Sequence, residues 1–537
     1  MIIDRIIMLV VKYIEIRLEE NTYNQLPRPL SFMLLLSLIL WGLFLFFVLI
    51  PLIVVSFYPK AANMSYLKKL VYLNATREWL MQMNLREQNQ GRFLSEKEIK
   101  DKLSPDHKGL VVNGMDFRLN HKDSFRNSAV IATTGAGKTS SFIIPNILSI
   151  NDASFVITDP SGALSEATGA DLKRRGYTVI IIDPVHLSES AGFNPVSRAN
   201  SIPAIQEIAH ILTNNASDSN SDPFWSQSAK TIIGILLACL RNHPEYRIYA
   251  NLNNLLYLLN NFGDGSPLIR FVAENAPNEQ VVQAYKGFIS QADRTMQGII
   301  SQAKSSIAWV EDPDIARLTS TNTFKYNDLR KQKTAIFLRF PQNKMGYYAP
   351  LLNLFYTQLF HFLLDDDLFN PSELPVYCLL DEFGHLTIPH FSSIITTTRA
   401  RHVSITMIVQ ALSQLEERYG TNGAKTILAG GCGSQIYFGA METETAENLS
   451  KILGDITVQT FQANGTFRKE KEPLMSVAAL YAMPPSEIVL LHAGIRPVKL
   501  KVTPHYEQPS LLKRTKIKYQ APQTNLPQVK YIPIPHV

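Results

Sequence analysis

A chain of 537 residues that is 46% hydrophobic and 18% charged is too long for a single core and too apolar to be disordered. Its net charge of +6 permits contact with nucleic acid or anionic lipid without demanding either. Cys239, Cys378 and Cys432 lie far apart, and no two of the 12 histidines are spaced H-x-x-x-H, so neither a disulfide framework nor a structural metal is expected, which fits a reducing compartment.

Residues 1–28 predict an amphipathic helix. At about 100° per residue, Asp4, Arg5, Lys12, Glu15 and Glu19 share one face, and most of the rest is Ile, Leu, Val and Met, which suits a membrane interface or a partner helix. From Pro29 to Pro59 there is no charged residue. A bilayer span needs about 20 apolar residues, so 29–59 predicts a transmembrane segment, too long and too late for a cleavable signal peptide. It is short for two spans and long for one, and the flanking basic residues are too balanced to orient it. Residues 60–107 read as a polar, helical juxtamembrane stalk in which Ser95 and Glu98 suit a capping box.

Residues 108–200 read as the first part of a nucleotide-binding domain, opening with a strand near Gly109–Val112. Within Val130-Ile-Ala-Thr-Thr-Gly-Ala-Gly-Lys-Thr-Ser-Ser141, a buried strand runs into a glycine-rich turn and then a helix from Lys138 to about Leu148. Such a turn aims successive backbone N–H groups at phosphate oxygens, here those of Thr134, Gly135, Ala136, Gly137, Lys138, Thr139 and Ser140. Lys138 would reach the β/γ-phosphates of ATP, and the Thr139 hydroxyl would ligate Mg²⁺. Ala132 stands where the pattern's first glycine belongs. Ser154–Thr158 and Tyr177–Ile182 follow as apolar strands, each ending in Asp-Pro, with a helix over 163–175 between them. This alternation predicts an α/β domain with a mainly parallel sheet covered on both faces.

Across 201–323 the apolar spacing is helical almost throughout, predicting an inserted all-α domain, with Asn214–Asp222 as a polar loop. Strands resume in 324–506. Leu374–Leu380 delivers Asp381 and Glu382 at its C-terminal end, where Asp381 would hold Mg²⁺ and Glu382 would polarise the attacking water. A helix over 391–401 precedes the strand Val403–Val409, whose tip carries Gln410, placed to contact the γ-phosphate or the lytic water. Arg399 and Arg401 could each stabilise phosphate charge in a neighbouring subunit or serve as surface ion-pair partners. Gly433–Gly439 is a further strand. A short strand over 457–461, a charged loop at 469–471, and strands at 488–492 and 498–502 complete the domain. Residues 507–537 are Pro-rich and read as an extended, disordered tail.

Beyond the phosphate loop, the segments Thr158-Asp-Pro-Ser-Gly162, Asp222-Pro-Phe-Trp225, Ala349-Pro-Leu-Leu-Asn353, Leu380-Asp-Glu-Phe-Gly384, Ile408-Val-Gln410 with Gln414-Leu415, and Thr443-Glu-Thr-Ala446 carry a family likeness. Over about 110–505 the chain resembles the type IV secretion coupling proteins, the TraG/TraD-like membrane ATPases of conjugation. The resemblance implies a RecA-like P-loop ATPase with an all-α insertion, assembled as a homo-hexamer on an inner-membrane anchor with its ATPase domain in the cytoplasm. It implies recruitment of relaxase-bound single-stranded DNA or effector proteins, and contact with channel ATPases, inner-membrane components and membrane lipid. By the same motifs Lys138, Thr139, Asp381, Glu382 and Gln410 take the roles above, and Arg399 is the trans-acting arginine. Two departures bear on hydrolysis: Ala132, and Asp159-Pro-Ser-Gly-Ala163 where the family has D-P-K-G-E. Two rival readings remain, a membrane receptor that binds nucleotide without hydrolysing it and a duplex-DNA translocase of the FtsK/HerA kind. The long all-α insertion argues against the second.

Overall fold

The structure, a computed structural model, describes residues 91–533 apart from 215–221, 243, 262–265 and 462–466. The helix read in 1–28, the apolar segment 29–59, the stalk up to residue 90 and nearly all of the loop read at Asn214–Asp222 lie outside the described residues. Among the described residues no helix is long and apolar enough to cross a membrane.

The first described helix, α1 (Glu96–Lys102), begins as its sequence indicates, with the Glu98 carboxylate accepting the Ser95 N–H at 2.8 Å and pairing with Arg92 at 2.7 Å. The strand expected at Gly109–Val112 does not join the main sheet. Side chains capture its backbone: Ser124 Oγ accepts the Leu110 N–H at 2.9 Å and Asn146 Oδ1 accepts the Val111 N–H at 2.8 Å. What remains is a single antiparallel bridge from Val111 to Arg118.

Nine strands form the main sheet. In chain order they are β1 (Ser128–Ile131), β2 (Ser154–Thr158), β3 (Thr178–Ile182), β4 (Thr334–Leu338), β5 (Val376–Leu380), β6 (Val403–Val409), β7 (Ser434–Phe438), β10 (Glu487–His492) and β11 (Val498–Lys501). Their spatial order is β11-β10-β7-β1-β6-β5-β2-β4-β3, parallel from β7 to β3, with β10 and β11 joined antiparallel at one edge. β2, β4, β5 and β6 are buried along their whole length, as parallel strands covered on both faces must be. Alternate residues of the strands feed two separate cores. Val130, Phe155, Leu379 and Ile408 face α2 (Ile144–Ser149) and α3 (Ala163–Arg174). On the opposite face Ile131, Val156, Leu380 and Val409 belong to the larger core.

Between β3 and β4 the described residues hold helices and no strand: α4 (Ile202–Asn214), α5 (Pro223–Asn242), α6 (Leu252–Asn260), α7 (Ser266–Asn275), α8 (Glu279–Ile289), α9 (Asp293–Ile307) and α10 (Pro313–Leu318). The root of this insertion is stitched shut. Asn322 Oδ1 accepts the Asn194 N–H at 2.9 Å, and Arg198 lies 4.6 and 4.5 Å from the ring centres of Phe324 and Tyr326. The chain continues through α11 (Met345–Leu364), α12 (Phe391–Thr397), α13 (Leu412–Lys425) and α14 (Thr443–Leu453). The charged stretch read as a loop at 469–471 is instead part of β9 (Phe467–Pro473), which pairs antiparallel with β8 (Asp455–Phe461) in a ribbon outside the main sheet.

The C-terminal tail departs most from its sequence reading, because it is docked. α15 (Pro509–Thr515) packs on α2 and α3. Beyond it, Thr524 donates its N–H to Ser188 O at 2.7 Å, Arg317 of α10 donates to Leu526 O at 2.8 Å, and Asn254 of α6 bonds both Lys530 O and the Ile532 N–H, at 2.9 and 2.8 Å. Leu526 and Ile532 are each 2% exposed. The prolines keep the segment extended, and extension is what lets it reach from the sheet domain to the helical insertion.

Candidate active site

Three neighbouring parallel strands build the site at their C-terminal edge: β1 ends in the glycine-rich loop, β6 in Gln410 and β5 in Asp381-Glu382. β6 lies between the other two, so Gln410 falls between the loop and the carboxylates. This is the edge at which open α/β sheets bind ligands. Gly135 and Gly137 adopt φ of +82° and +85°, the left-handed region open to glycine. Among the described residues their N–H groups have no protein acceptor.

Ala136 lies between those glycines, and its N–H donates to Thr133 O at 3.2 Å, closing the turn. The residue is 4% exposed and belongs to the core beneath the loop, with Val130 and Phe142. Ala136 therefore shapes the loop, while the N–H groups of Gly135 and Gly137 on either side of it stay open. Ser140 is half-buried, and its hydroxyl donates to Gly137 O at 3.1 Å, a second brace on the same turn. Ala132 adopts no left-handed conformation, and its N–H extends the ladder to Val409 O at 3.0 Å, so a Cβ is accommodated there. Past the loop, Thr139–Ile143 forms a π-helical turn before α2, a departure from the single α-helix expected.

Lys138 is buried, with its Nζ 3.0 Å from Glu382 Oε1 and 3.5 Å from Asp381 Oδ1. The other Glu382 oxygen, Oε2, accepts from Gln410 Nε2 at 2.9 Å. Burial pushes the Asp381 carboxyl above the usual carboxylate range, and the Lys138 ammonium draws it part of the way back. Glu382 sits in the left-handed region at φ 56°, ψ 37°, unusual for a side chain of its size, and its N–H donates to Asp381 Oδ1 at 3.1 Å. The turn behind it is braced from α13. Gln414 Oε1 accepts the Gln410 N–H at 3.0 Å, and Arg418 Nε donates to Gly384 O at 3.1 Å. A Cβ on Gly384 would stand 2.6 Å from Gln414 Oε1, so any larger residue there would displace the Gln414 side chain.

The structure thus brings the loop from Thr134 to Ser140, Asp381, Glu382 and Gln410 to one edge, with Ala136 there as a brace. The donor set fits a magnesium nucleotide: the open N–H groups of Gly135 and Gly137 and a lysine face a pair of carboxylates, with the half-buried Thr139 at the start of the helix. Arg399 is elsewhere. It precedes β6, whose seven residues put it about 23 Å away at the opposite edge of the sheet. Of the two arginines there, Arg401 pairs with Asp366 and lies 5.3 Å from the Phe369 ring centre, whereas Arg399 is exposed and lines an open recess of about 440 Å³ with His121, Lys122 and His402.

Asp159 belongs to none of this. It is fully buried and caps α3, accepting from Leu164 N, Ser165 N and Ser165 Oγ at 3.1, 2.8 and 2.6 Å. Ser161 and Ala163, where the family's lysine and glutamate were expected, are both exposed. The sequence motifs include Gly384 and Gln414 without a role for either, and Arg418 lies in none of them. Gln414 had one available signal, since it lies one helical turn beyond Gln410.

The family model for the type IV secretory system conjugative DNA transfer proteins matches residues 81–529. The chain belongs to that family. Among curated relatives, the VirD4 protein of Rhizobium rhizogenes is 23% identical over 401 residues, covering 71% of this chain and 58% of that one. The conjugal transfer protein TraG of Rhizobium radiobacter is 25% identical over 411 residues, covering 68% and 62%. This chain therefore spans less than two thirds of the length of either relative. Among solved structures, the conjugative coupling protein TrwBdeltaN70 in complex with sulphate superposes with a TM-score of 0.61 at 16% identity, over 77% of this chain and 93% of that one. The TrwB complex with ADP and Mg²⁺ superposes at 0.60 with 15% identity, over the same shares. At these identities the likeness establishes the shared α/β fold.

Proposed function

We propose that this protein is a P-loop ATPase of the type IV secretion coupling class. In this reading it is a homo-hexamer anchored in the bacterial inner membrane through 29–59, with residues 91–533 on the cytoplasmic side. It recruits relaxase-bound single-stranded DNA, effector proteins or both to the secretion channel, and drives or gates their transfer. The observation that carries the reading is the Lys138–Glu382–Gln410 cluster at the C-terminal edge of three adjacent parallel strands, with distances of 3.0 and 2.9 Å. A structural ion pair would need neither the glycine-rich loop beside it nor a strained glutamate. The printed name of the TraG relative, a conjugal transfer protein, and the family match support the transfer role.

The chemistry follows from the arrangement. Backbone N–H groups of the loop, other than the one Ala136 spends on Thr133, hold the ATP phosphates, and Lys138 turns from the carboxylates to the β/γ-oxygens. Thr139 and Asp381 would hold Mg²⁺, which would supply neutralisation of the phosphate charge. Once Lys138 has left, Glu382 is a carboxylate freed of its lysine beside the γ-phosphate. It accepts a proton from the attacking water as that oxygen bonds to the γ-phosphorus and the bond to the ADP oxygen breaks. Gln410 holds the Glu382 carboxylate and the water in register. Arg399, too far to reach the phosphates of its own subunit, serves those of the next subunit.

ATP turnover by the full chain in detergent or nanodiscs, with and without single-stranded DNA, tests this. Glu382→Gln and Lys138→Ala should each abolish turnover. Turnover unchanged by either substitution would sink the assignment of hydrolysis to this site, and nucleotide binding with no turnover by the unsubstituted chain would leave the receptor function.

A further inference from the structure

The exposed Arg399 has to be presented by something stiff, and the residue that holds its turn comes from the far side of the sequence. Asn127, immediately before β1, is 1% exposed and adopts φ of +59°, a region asparagine enters more readily than most residues. Its amide is fully committed. Nδ2 donates to Ile395 O at 2.7 Å, Thr398 Oγ1 at 2.8 Å and Gly431 O at 3.2 Å, while Oδ1 accepts the Ile405 N–H at 2.8 Å. Ile395 lies in α12, Thr398 immediately precedes Arg399, and Ile405 lies in β6. One buried amide therefore grips both flanks of the turn that presents Arg399. The carboxamide alone among the acidic and amide pairs can serve here, because the site needs a donor and an acceptor on one short side chain; aspartate supplies only the acceptor.

We propose that Asn127 is a positioning residue for Arg399, fixing the 3₁₀ turn Thr398–Arg401 so that the arginine meets the nucleotide phosphates bound by a second copy of this chain. This rests on the trans-acting reading of Arg399. Arg399 makes no ion pair among the described residues, so its presentation depends on the turn that carries it. Asn127 also joins the base of the phosphate-loop strand to the turn that serves the neighbour, so a shift of β1 in one subunit is carried to the arginine it offers the next.

Subunit mixing in the full chain separates this from a merely structural role. Asn127→Asp keeps the acceptor and loses the donors. Alone, it should lower kcat about tenfold or more and leave the KM for ATP within about twofold, because its own phosphate loop is intact. Co-assembled with Lys138→Ala subunits, which lack the phosphate-loop lysine but retain Arg399, it should regain several-fold more turnover than the two separate preparations predict. Arg399→Ala mixed with Lys138→Ala is the reference and should recover in the same way. Failure of that reference sinks the trans reading itself. Recovery of the reference without recovery of Asn127→Asp, or an unchanged kcat for Asn127→Asp, overturns the role of Asn127. If Asn127→Asp does not fold, Thr398→Val, which removes only the hydroxyl end of the clamp, decides by the same mixing readout.

Discussion

Glu382 is held on three sides: by Lys138, by Gln410, and by its own backbone in the left-handed region. That strain persists because the following turn is tied to α13 through Gln414 and Arg418, so catalytic geometry here is set by residues that touch no phosphate. Gly384→Ala tests this. The new Cβ forces Gln414 off the Gln410 amide, and the expected result is a loss of about tenfold in kcat, near 1.4 kcal/mol of barrier, with little change in nucleotide affinity. Steady-state kinetics with a nucleotide-binding titration checks it, and a loss confined to binding would refute it. The apolar run ending in Asp381-Glu382 was plain in the sequence. The crowding at Gly384 was not, because it arises from Gln414, 30 residues downstream, whose Oε1 a Cβ at 384 would approach to 2.6 Å.

At the scale of elements, α15 shows how a charged tail becomes structure. Asp171 of α3 is completely buried. Burial alone would raise its carboxyl, but Arg514 of α15 together with Arg174 and Arg175 brings it down to about 2. A folded value below the unfolded one, about 3.9, means that the cluster contributes stability above about pH 4 and loses it as pH falls toward 2. Arg514→Ala should lower stability at neutral pH by about 1.5–3 kcal/mol, the worth of charged hydrogen bonds. It should also move acid unfolding to higher pH, because burial then faces less opposing charge. Denaturant titrations at pH 7 and pH 4 measure both, and an unchanged acid midpoint would count against the account. Lys513, Arg514, Lys516 and Lys518 look like a solvated basic run in the sequence. A buried aspartate more than 300 positions upstream is invisible to local pattern.

At the scale of the whole molecule, the chain after β11 acts as a strap. It passes the phosphate-loop helix, where His505 Nδ1 lies 3.1 Å from Ser140 O, then crosses α3, and ends on α6 of the helical insertion. Deleting residues 519–537 removes the buried Leu526 and Ile532, worth about 3–6 kcal/mol together by apolar burial. The full chain so truncated should melt at lower temperature, and amide exchange should rise in Leu252–Asn260, which the tail covers. Exchange confined to the cut end would mean that the insertion holds its place without the strap.

The sequence by itself determined the parallel sheet, the helical insertion and the order of the phosphate loop, the acidic pair and Gln410. Each of these is written in local periodicity or in a short run of residue types. Tertiary structure decided what depends on contacts between distant segments. Side chains of Ser124 and Asn146 took Gly109–Val112 out of the sheet by capturing its N–H groups. Asp366 occupied Arg401 and left Arg399 exposed, and Asn254 and Arg317 turned a proline-rich tail into a bridge. For the loop that organises the chain, its composition announced phosphate binding, while the folded turn decided which amides stay open and gave Ala136 to the core. Only the strand order, with β6 between β1 and β5, put Lys138 within 3.0 Å of Glu382.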